Sequence, residues 1–227
     1  MKNYIKFLLF FILAFSISGC DLEPQDRFNF KPDVDLTDPF DNMTAWEYIQ
    51  TRTKLNDNGS FHNQELNYLI AAIKRAGMED EYNQTATTER TYLLLNNAAF
   101  LGGGDVIQIV TGSSTIPSGE TPDETMARAD VEKLRTVLRY HIVQSYIAQV
   151  PTLAESFVPY LFQTLIPGED GLIAFARNDT WRIQINTAPV PLPSTATSQP
   201  EFVQRHNYVF KNGIGHYIAD PVRNKPY

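Results

Sequence analysis

The chain predicts a single α+β domain, and three observations carry that expectation. Helical periodicity gathers early in the sequence, and alternating, strand-like runs gather late. No internal repeat with a period of roughly 20 to 50 residues is visible, which sets aside solenoids and propellers. The 227 residues are 43% hydrophobic and 20% charged, a globular balance away from the polar, highly charged range in which chains stay disordered. A domain of this size buries roughly 70% of its unfolded surface, so it folds without needing a disulfide or a structural metal.

The first segment is not part of that domain. Lys2 and Lys6 form a short basic region, and Phe7 to Ile17 (FLLFFILAFSI) is almost wholly apolar. Eleven helical residues span about 16 Å, roughly half a hydrocarbon core, so the run reads as a signal segment and not as a membrane span. Ile17-Ser18-Gly19-Cys20 follows, an aliphatic residue and two small ones before the only cysteine. This tetrad resembles the lipobox of bacterial lipoproteins. The resemblance implies cleavage before Cys20, a diacylglyceryl group on its thiol and further acylation such as palmitate on the new N-terminus. Several acyl chains, at ~0.8 kcal/mol per buried CH2, anchor a protein stably where one does not. The expected localisation is the outer membrane, lipid-anchored, at the cell surface, with the choice between periplasmic and outer face left open by the sequence.

Residues 1–19 are thus the expected signal peptide and 20–43 the lipidated cysteine with an extended linker. Residues 21–43 (DLEPQDRFNFKPDVDLTDPFDNM) hold three prolines, many acids and neither period, the composition of a tether. The spacing of Asp33, Asp35, Asp38 and Asp41 invites a calcium loop. The turn glycine and closing bidentate acid of an EF-hand are missing, so a solvated acidic linker is the preferred reading.

Residues 44–227 form the expected domain. Thr44 and Glu47 have the spacing of a capping box, opening a helix with Trp46 and Ile49. Asn63 to Ala76 places Leu66, Leu69, Ile70 and Ile73 at helical spacing, and Gly77 stands where a C-cap glycine belongs. Tyr92 to Leu95 reads as a buried strand, and Val106, Ile107, Ile109 and Val110 read as another. Residues 111–124 (TGSSTIPSGETPDE) read as a loop. Asp130 opens a helix whose apolar face holds Val131, Leu134, Val137, Leu138 and His141. Thr152 and Glu155 form a second capping-box pattern, with Pro159 limiting that helix. Gly171 to Asn186 reads as a hairpin turning at Asn178-Asp179, with Trp181, Ile183 and Ile185 alternating against Arg182 and Gln184. Residues 188–201, with four prolines, read as a loop. A last hairpin runs from Tyr208 through Asn212-Gly213 and returns along Ile214 to Ile218.

Three of these segments carry a resemblance. Tyr92-Leu-Leu-Leu-Asn-Asn-Ala-Ala-Phe100 resembles the first signature of fasciclin (FAS1) domains. Leu134-Arg-Thr-Val-Leu-Arg-Tyr-His-Ile-Val143 is similar to the second, and Lys211-Asn-Gly-Ile-Gly-His-Tyr-Ile-Ala-Asp220 to the closing strand. With the opening helices from Thr44 to Gly77, they fall in the family's order and span Thr44 to the C-terminus. Two departures stand out. Leu95-Asn96 occupies the place of the family's usual Pro-Thr or Pro-Ser, and the stretches 100–134 and before Tyr208 are longer than usual. The resemblance implies a single fasciclin-like α+β domain, a wedge of strands with packed helices, and a non-enzymatic adhesion or interaction role. It also implies candidate ligand-binding positions at Tyr140 and His141, although a histidine on an apolar helix face is more often a hydrogen-bonded core residue.

Composition and motifs narrow the rest. Removing Lys2 and Lys6 leaves 17 of the 19 basic residues against all 26 acidic ones, moving the formal charge from -7 to -9. Such a body repels phosphate backbones, so nucleic acid is not an expected partner. One cysteine excludes an internal disulfide and a zinc site built on paired cysteines. No Gly-x-Ser-x-Gly, His-Glu-x-x-His or Gly-x4-Gly-Lys is present. His62, His141, His206 and His216 are scattered, so neither metal nor cofactor is expected. His216 with Asp220 is open as a spatial pair. Gly102-Gly103-Gly104 reads as a turn, since a phosphate cradle needs a helix directly after it. Glu79-Asp80-Glu81 reads as a solvated polar connection. The leading expectation is a non-enzymatic surface lipoprotein binding an extracellular protein or glycan. The alternative is an accessory glycan-capture subunit of an outer-membrane nutrient uptake system, for which Tyr146, Phe157, Tyr160, Phe162 and Phe202 are candidate stacking residues.

Overall fold

The structure is a computed structural model that describes residues 38–101, 106–187, 190–192, 194–197 and 200–222. The signal segment, Cys20, most of the linker and Gly102-Gly103-Gly104 lie outside the described residues. The fold is α+β. Its described strands form two four-stranded sheets, ordered β2-β1-β8-β7 and β3-β4-β5-β6.

The first sheet is built on β1 (Thr91–Leu95) and β8 (Gly213–Ile218), which run parallel from Thr91 opposite Ile214 to Leu95 opposite Ile218. Every residue of both strands is buried, which explains why TYLLL reads as a continuous apolar run and not as an alternating one. The short β2 (Ile142–Val143) and β7 (Arg205–Phe210) flank them, both antiparallel to their neighbours. Gly213 has φ 149°, and a Cβ there would collide with the Arg90 carbonyl. The Asn-Gly turn expected from sequence therefore needs its glycine for close packing as well as for backbone freedom.

The second sheet holds β3 (Tyr160–Gln163), β4 (Leu172–Arg177), β5 (Ile183–Ile185) and β6 (Glu201–Phe202), all antiparallel. The β4–β5 hairpin matches the sequence expectation. The two-residue β6 lies at the end of the proline-rich stretch read above as a loop, which also contains a short helix at Ser194–Thr197.

Helices cover the first sheet. α1 (Ala45–Gln50) starts with the expected capping box, the Glu47 carboxylate accepting from the Thr44 N–H at 2.7 Å. Packing begins before the domain boundary drawn at Thr44, because the Phe40 ring lies 4.7 Å from that of Tyr48 and 6.0 Å from that of Tyr208. α2 (Asn67–Ala76) buries Leu69, Ala72, Ile73 and Ala76 and stops at Gly77 in the left-handed region, φ 63°. α3 (Glu79–Asn83) corrects the reading of Glu79-Asp80-Glu81 as a connection. The three acids form a helical first turn, where they meet the positive end of the helix dipole. α4 (Asn97–Phe100) follows β1.

α5 (Val106–Thr111) corrects a second expectation, that of a strand. Val106, Ile107 and Val110 are buried while Gln108 is exposed, a helical face. An apolar run this short does not separate strand from buried helix by periodicity. α6 (Pro122–Ala127) starts inside the loop expected over 111–124 and has a full capping box between Thr121 and Glu124, with Pro122 in its first turn. α7 (Val131–Tyr140), capped by Asp130, buries Leu134, Val137, Leu138 and Tyr140 and packs on α2 and α5. The helix expected after Thr152 does not form. The Thr152 hydroxyl is turned upstream instead, accepting from the Ala148 N–H at 3.2 Å and donating to the Tyr146 carbonyl at 3.4 Å.

Candidate functional site

The polar residues of the signature segments are joints inside the fold. Tyr140 and His141 are both 0% exposed. The Tyr140 hydroxyl donates to the Leu172 carbonyl at 2.9 Å and accepts from Asn186 Nδ2 at 3.1 Å, linking α7 to the second sheet. His141 Nδ1 lies 2.7 Å from the Val137 carbonyl, and its Nε2 accepts from the Val222 N–H at 3.0 Å. A carbonyl only accepts and an N–H only donates, so the ring is neutral with its proton on Nδ1. Burial holds its pKa down at about 4. In this structure neither side chain presents a surface to a ligand.

His216 repeats the arrangement in the other tautomer. Its Nε2 donates to the Ile147 carbonyl at 2.7 Å and its Nδ1 accepts from the Asn207 N–H at 3.2 Å, with burial again lowering the pKa to about 4. These two backbone groups saturate the ring, in place of the contact with Asp220 left open from sequence. Asn96 caps α4 by accepting from the Ala98 and Ala99 N–H groups. Asn97 accepts from the Tyr68 N–H and donates to the His62 carbonyl. Asn212 accepts from the Ala45 N–H and donates to the Tyr82 carbonyl, both at 2.9 Å. It thereby satisfies a helix-start donor that otherwise has no partner within the helix.

Among the described residues the most exposed large apolar side chains lie in connecting segments. Phe157 is 62% exposed, Trp181 53% and Val150 50%. Phe157 and Trp181 also have positive φ, 62° and 65°. For a bulky side chain this is a real outlier, costing roughly 1 to 2 kcal/mol per residue. Trp181 closes the β4–β5 connection, at a left-handed position that hairpins usually fill with glycine. Among the described residues the two other non-glycine positions with positive φ are asparagines, Asn186 and Asn207, which tolerate that region.

Arg177 organises the surface. It is only 5% exposed, and its guanidinium donates to the carbonyls of Leu153 (2.8 Å), Ala154 (2.6 Å) and Asn178 (3.3 Å). The same guanidinium lies 4.0 Å from the centre of the Trp181 ring, a cation–π contact. The Phe157 N–H donates to the Arg177 carbonyl at 2.6 Å. Gln149 extends the surface. Its Nε2 donates to the Trp181 carbonyl and sits 3.2 Å from His206 Nε2, while its N–H donates to Asn207 Oδ1 at 3.1 Å. Beyond His206 lies an open groove of about 200 Å³ lined by Asp38, Phe40, Arg205, His206, Asn207 and Tyr208. Of the stacking candidates read from sequence, Phe157 alone is exposed, while Tyr146, Tyr160, Phe162 and Phe202 are half-buried. Trp181 is not among those candidates, because its alternation with Arg182 assigns it to the strand.

Other titratable groups are explained by their surroundings. Burial, reinforced by the charge of Asp220, raises Glu201 to about 7. Among the described residues no group of three or more His, Cys, Asp or Glu side chains is placed to hold a metal ion. Among the same residues no helix is long and apolar enough to cross a membrane.

No family model and no curated protein matches the chain. Among solved structures it is similar to the FAS1 domain pair of the insect cell adhesion molecule fasciclin I, at 12% identity and a TM-score of 0.50. The match covers 81% of this chain and 51% of the other, so this chain spans about half the length of that two-domain structure. The likeness defines the class: an α+β domain with a fasciclin-like (FAS1) fold.

Proposed function

We propose that the chain is a bacterial lipoprotein, anchored through Cys20 at the cell surface, whose FAS1-like domain is a non-enzymatic interaction module for an extracellular protein or glycan. The observation that carries the reading is the fold itself, which it shares with a domain pair of an adhesion molecule. The sequence of the first 20 residues supports the anchor, since a basic region, an apolar run and Ile17-Ser18-Gly19-Cys20 stand in the order that lipidation requires. The test is protease shaving of intact cells, paired with metabolic labelling by palmitate. Loss of the domain while a periplasmic control survives, and loss of label in Cys20→Ala, are the expected results. Protection of the domain in intact cells overturns the surface placement.

A second reading, an accessory glycan-capture subunit of an outer-membrane uptake system, is favoured by one specific observation. Phe157 and Trp181 are both exposed and both contact Arg177, which makes aromatic faces available for stacking on sugar rings. A transporter subunit that co-purifies with the chain from detergent-solubilised membranes is the expected result of that test.

A further inference from the structure

We infer that Val150, Phe157 and Trp181 form a docking face for the lipid bilayer in which the chain is anchored. The inference rests on the lipid-anchor reading above and adds to it how the domain lies on its membrane.

The face is built around two polar side chains. The exposed large apolar side chains among the described residues are Leu55, Val150, Phe157, Leu161 and Trp181, and three of them gather here. Gln149, which precedes Val150, donates from its Nε2 to the Trp181 carbonyl. Arg177 lays its guanidinium 4.0 Å from the centre of the Trp181 ring, and its carbonyl accepts from the Phe157 N–H at 2.6 Å. Exposed apolar residues scattered singly are ordinary, whereas a cluster calls for a cover. The backbone sharpens the point. Phe157 and Trp181 have φ of 62° and 65°, where glycine or asparagine fits better. Local turn geometry therefore accounts for neither ring.

The position of the anchor names what covers the face. The described chain begins at Asp38, and eighteen Cα–Cα steps lead back from it to Cys20. Even fully extended, those steps reach about 60 Å, so the domain never leaves the bilayer by more than that. Asp38 lines a groove together with His206. His206 Nε2 lies 3.2 Å from Gln149 Nε2, the same amide nitrogen that holds the Trp181 carbonyl. The chain thus enters the domain beside the exposed rings. Tethering makes the contact intramolecular, so three side chains need not hold the domain on the membrane by themselves.

The residue types fit an interface. Tryptophan joins an apolar ring to a polar edge and favours the headgroup level, while phenylalanine and valine supply hydrocarbon contact. Val150 offers no ring face, so it serves a lipid and not a sugar. The neighbouring charges select no headgroup. Arg177 is 5% exposed and spends its guanidinium on the carbonyls of Leu153, Ala154 and Asn178. Arg205 shares its groove with Asp38, and Glu155 and Asp179 each stand two residues before one of the rings. The contact is therefore apolar, and salt does not weaken it.

Trp46 and Trp181 are the only tryptophans in the sequence, which makes the face directly readable. The full lipidated chain is reconstituted in phosphatidylcholine vesicles, with and without bromine on the acyl chains, which quenches tryptophan on contact. In Trp46→Phe, brominated lipid is expected to lower Trp181 emission about twofold, at low and at high salt alike. In Trp181→Phe, the remaining Trp46, packed against the core, is expected to keep its emission. Adding Val150→Ser and Phe157→Asn to Trp46→Phe is expected to restore most of the Trp181 emission at an unchanged melting temperature. Unquenched Trp181, equal quenching of Trp46, or full quenching despite the added substitutions each overturns the inference. Unquenched Trp181 whose emission shifts with soluble dextran gives the face to sugars instead. A chain that takes palmitate label at Cys20 but leaves Trp181 unquenched keeps the lipoprotein reading and refutes only this face, whereas absence of label removes both.

Discussion

The two sheets bury similar cores and differ in what the segments beside them leave exposed. In the first, around β1 and β8, polar side chains point inward and join elements. His141, His216, Asn96, Asn97 and Asn212 are each 0% exposed and hydrogen-bonded to backbone. Beside the second, in the segment before β3 and in the β4–β5 connection, two large aromatic side chains, Phe157 and Trp181, stand exposed on a left-handed backbone. The lesson concerns motifs. The segments that resemble family signatures keep their polar residues because a buried backbone group without a partner costs about 1 to 3 kcal/mol. In this chain those residues close the fold, and its exposed aromatic side chains lie elsewhere.

The sharpest way to break this comparison is acid. Both buried histidines hold a folded pKa of about 4 against an ordinary 6.5. Between those values the unfolded chain takes up protons that the folded chain refuses. Their stabilisation is therefore complete above pH 6.5 and drains away as the pH falls towards 4, by up to about 3 kcal/mol for each ring. Urea midpoints measured from pH 7.5 to 4 should fall steeply. His216→Gln should start from a lower midpoint but show a shallower fall, and an equally steep fall in that variant would remove the histidine joints as the cause.

A pair of truncations separates the sheets next. Leu94 is fully buried in β1, and Leu94→Ala should cost about 3 kcal/mol in chemical denaturation. Phe157→Ala, which removes more atoms from the surface of the other region, should stay within about 0.5 kcal/mol. Comparable losses would mean that Phe157 supports the fold and is not held out for a partner.

The smallest expected effect sharpens the comparison from inside. Tyr82 is fully buried and stacks on Tyr92 at 5.5 Å, yet its hydroxyl has no hydrogen-bond partner among the described residues. Burial drives that phenol well above its ordinary pKa. Tyr82→Phe should be neutral or stabilising by up to about 1 kcal/mol in thermal melts. A clear loss would show that the hydroxyl is a joint like the others.

Much of the first sheet is legible in the sequence because its signals are local. The Thr44 capping box, the Gly77 cap, the TYLLL run and the Asn212-Gly213 turn each announce themselves within a few residues. The errors arise where local signals are ambiguous. VIQIV serves a strand or a helix equally, and Thr152 spends its hydroxyl on residues behind it. The Thr121 capping box, with Pro122 beside it, is a local signal too, but it stands at the end of a run of turn-forming polar residues that reads as a loop. The outward surface was half legible. Phe157 was among the candidates, but the exposure of Trp181 depends on a left-handed backbone and on Arg177 beneath it. Neither leaves a trace in the hydrophobic pattern.

The placement of β8 has a consequence for how the protein is made. This strand lies in the middle of its sheet, between β1 and β7, yet it is among the last described segments of the chain. Asn212, at its start, reaches back 167 residues to the first helix. A growing polypeptide that has already produced α1 and β1 has only the two-residue β2 to pair with, so its sheet cannot close in pieces. Such long-range pairing pays loop-closure entropy before contacts repay it, and folding is correspondingly late and slow. Until its final strand arrives the nascent chain is an open client for chaperones and proteases, and the domain comes into being nearly all at once.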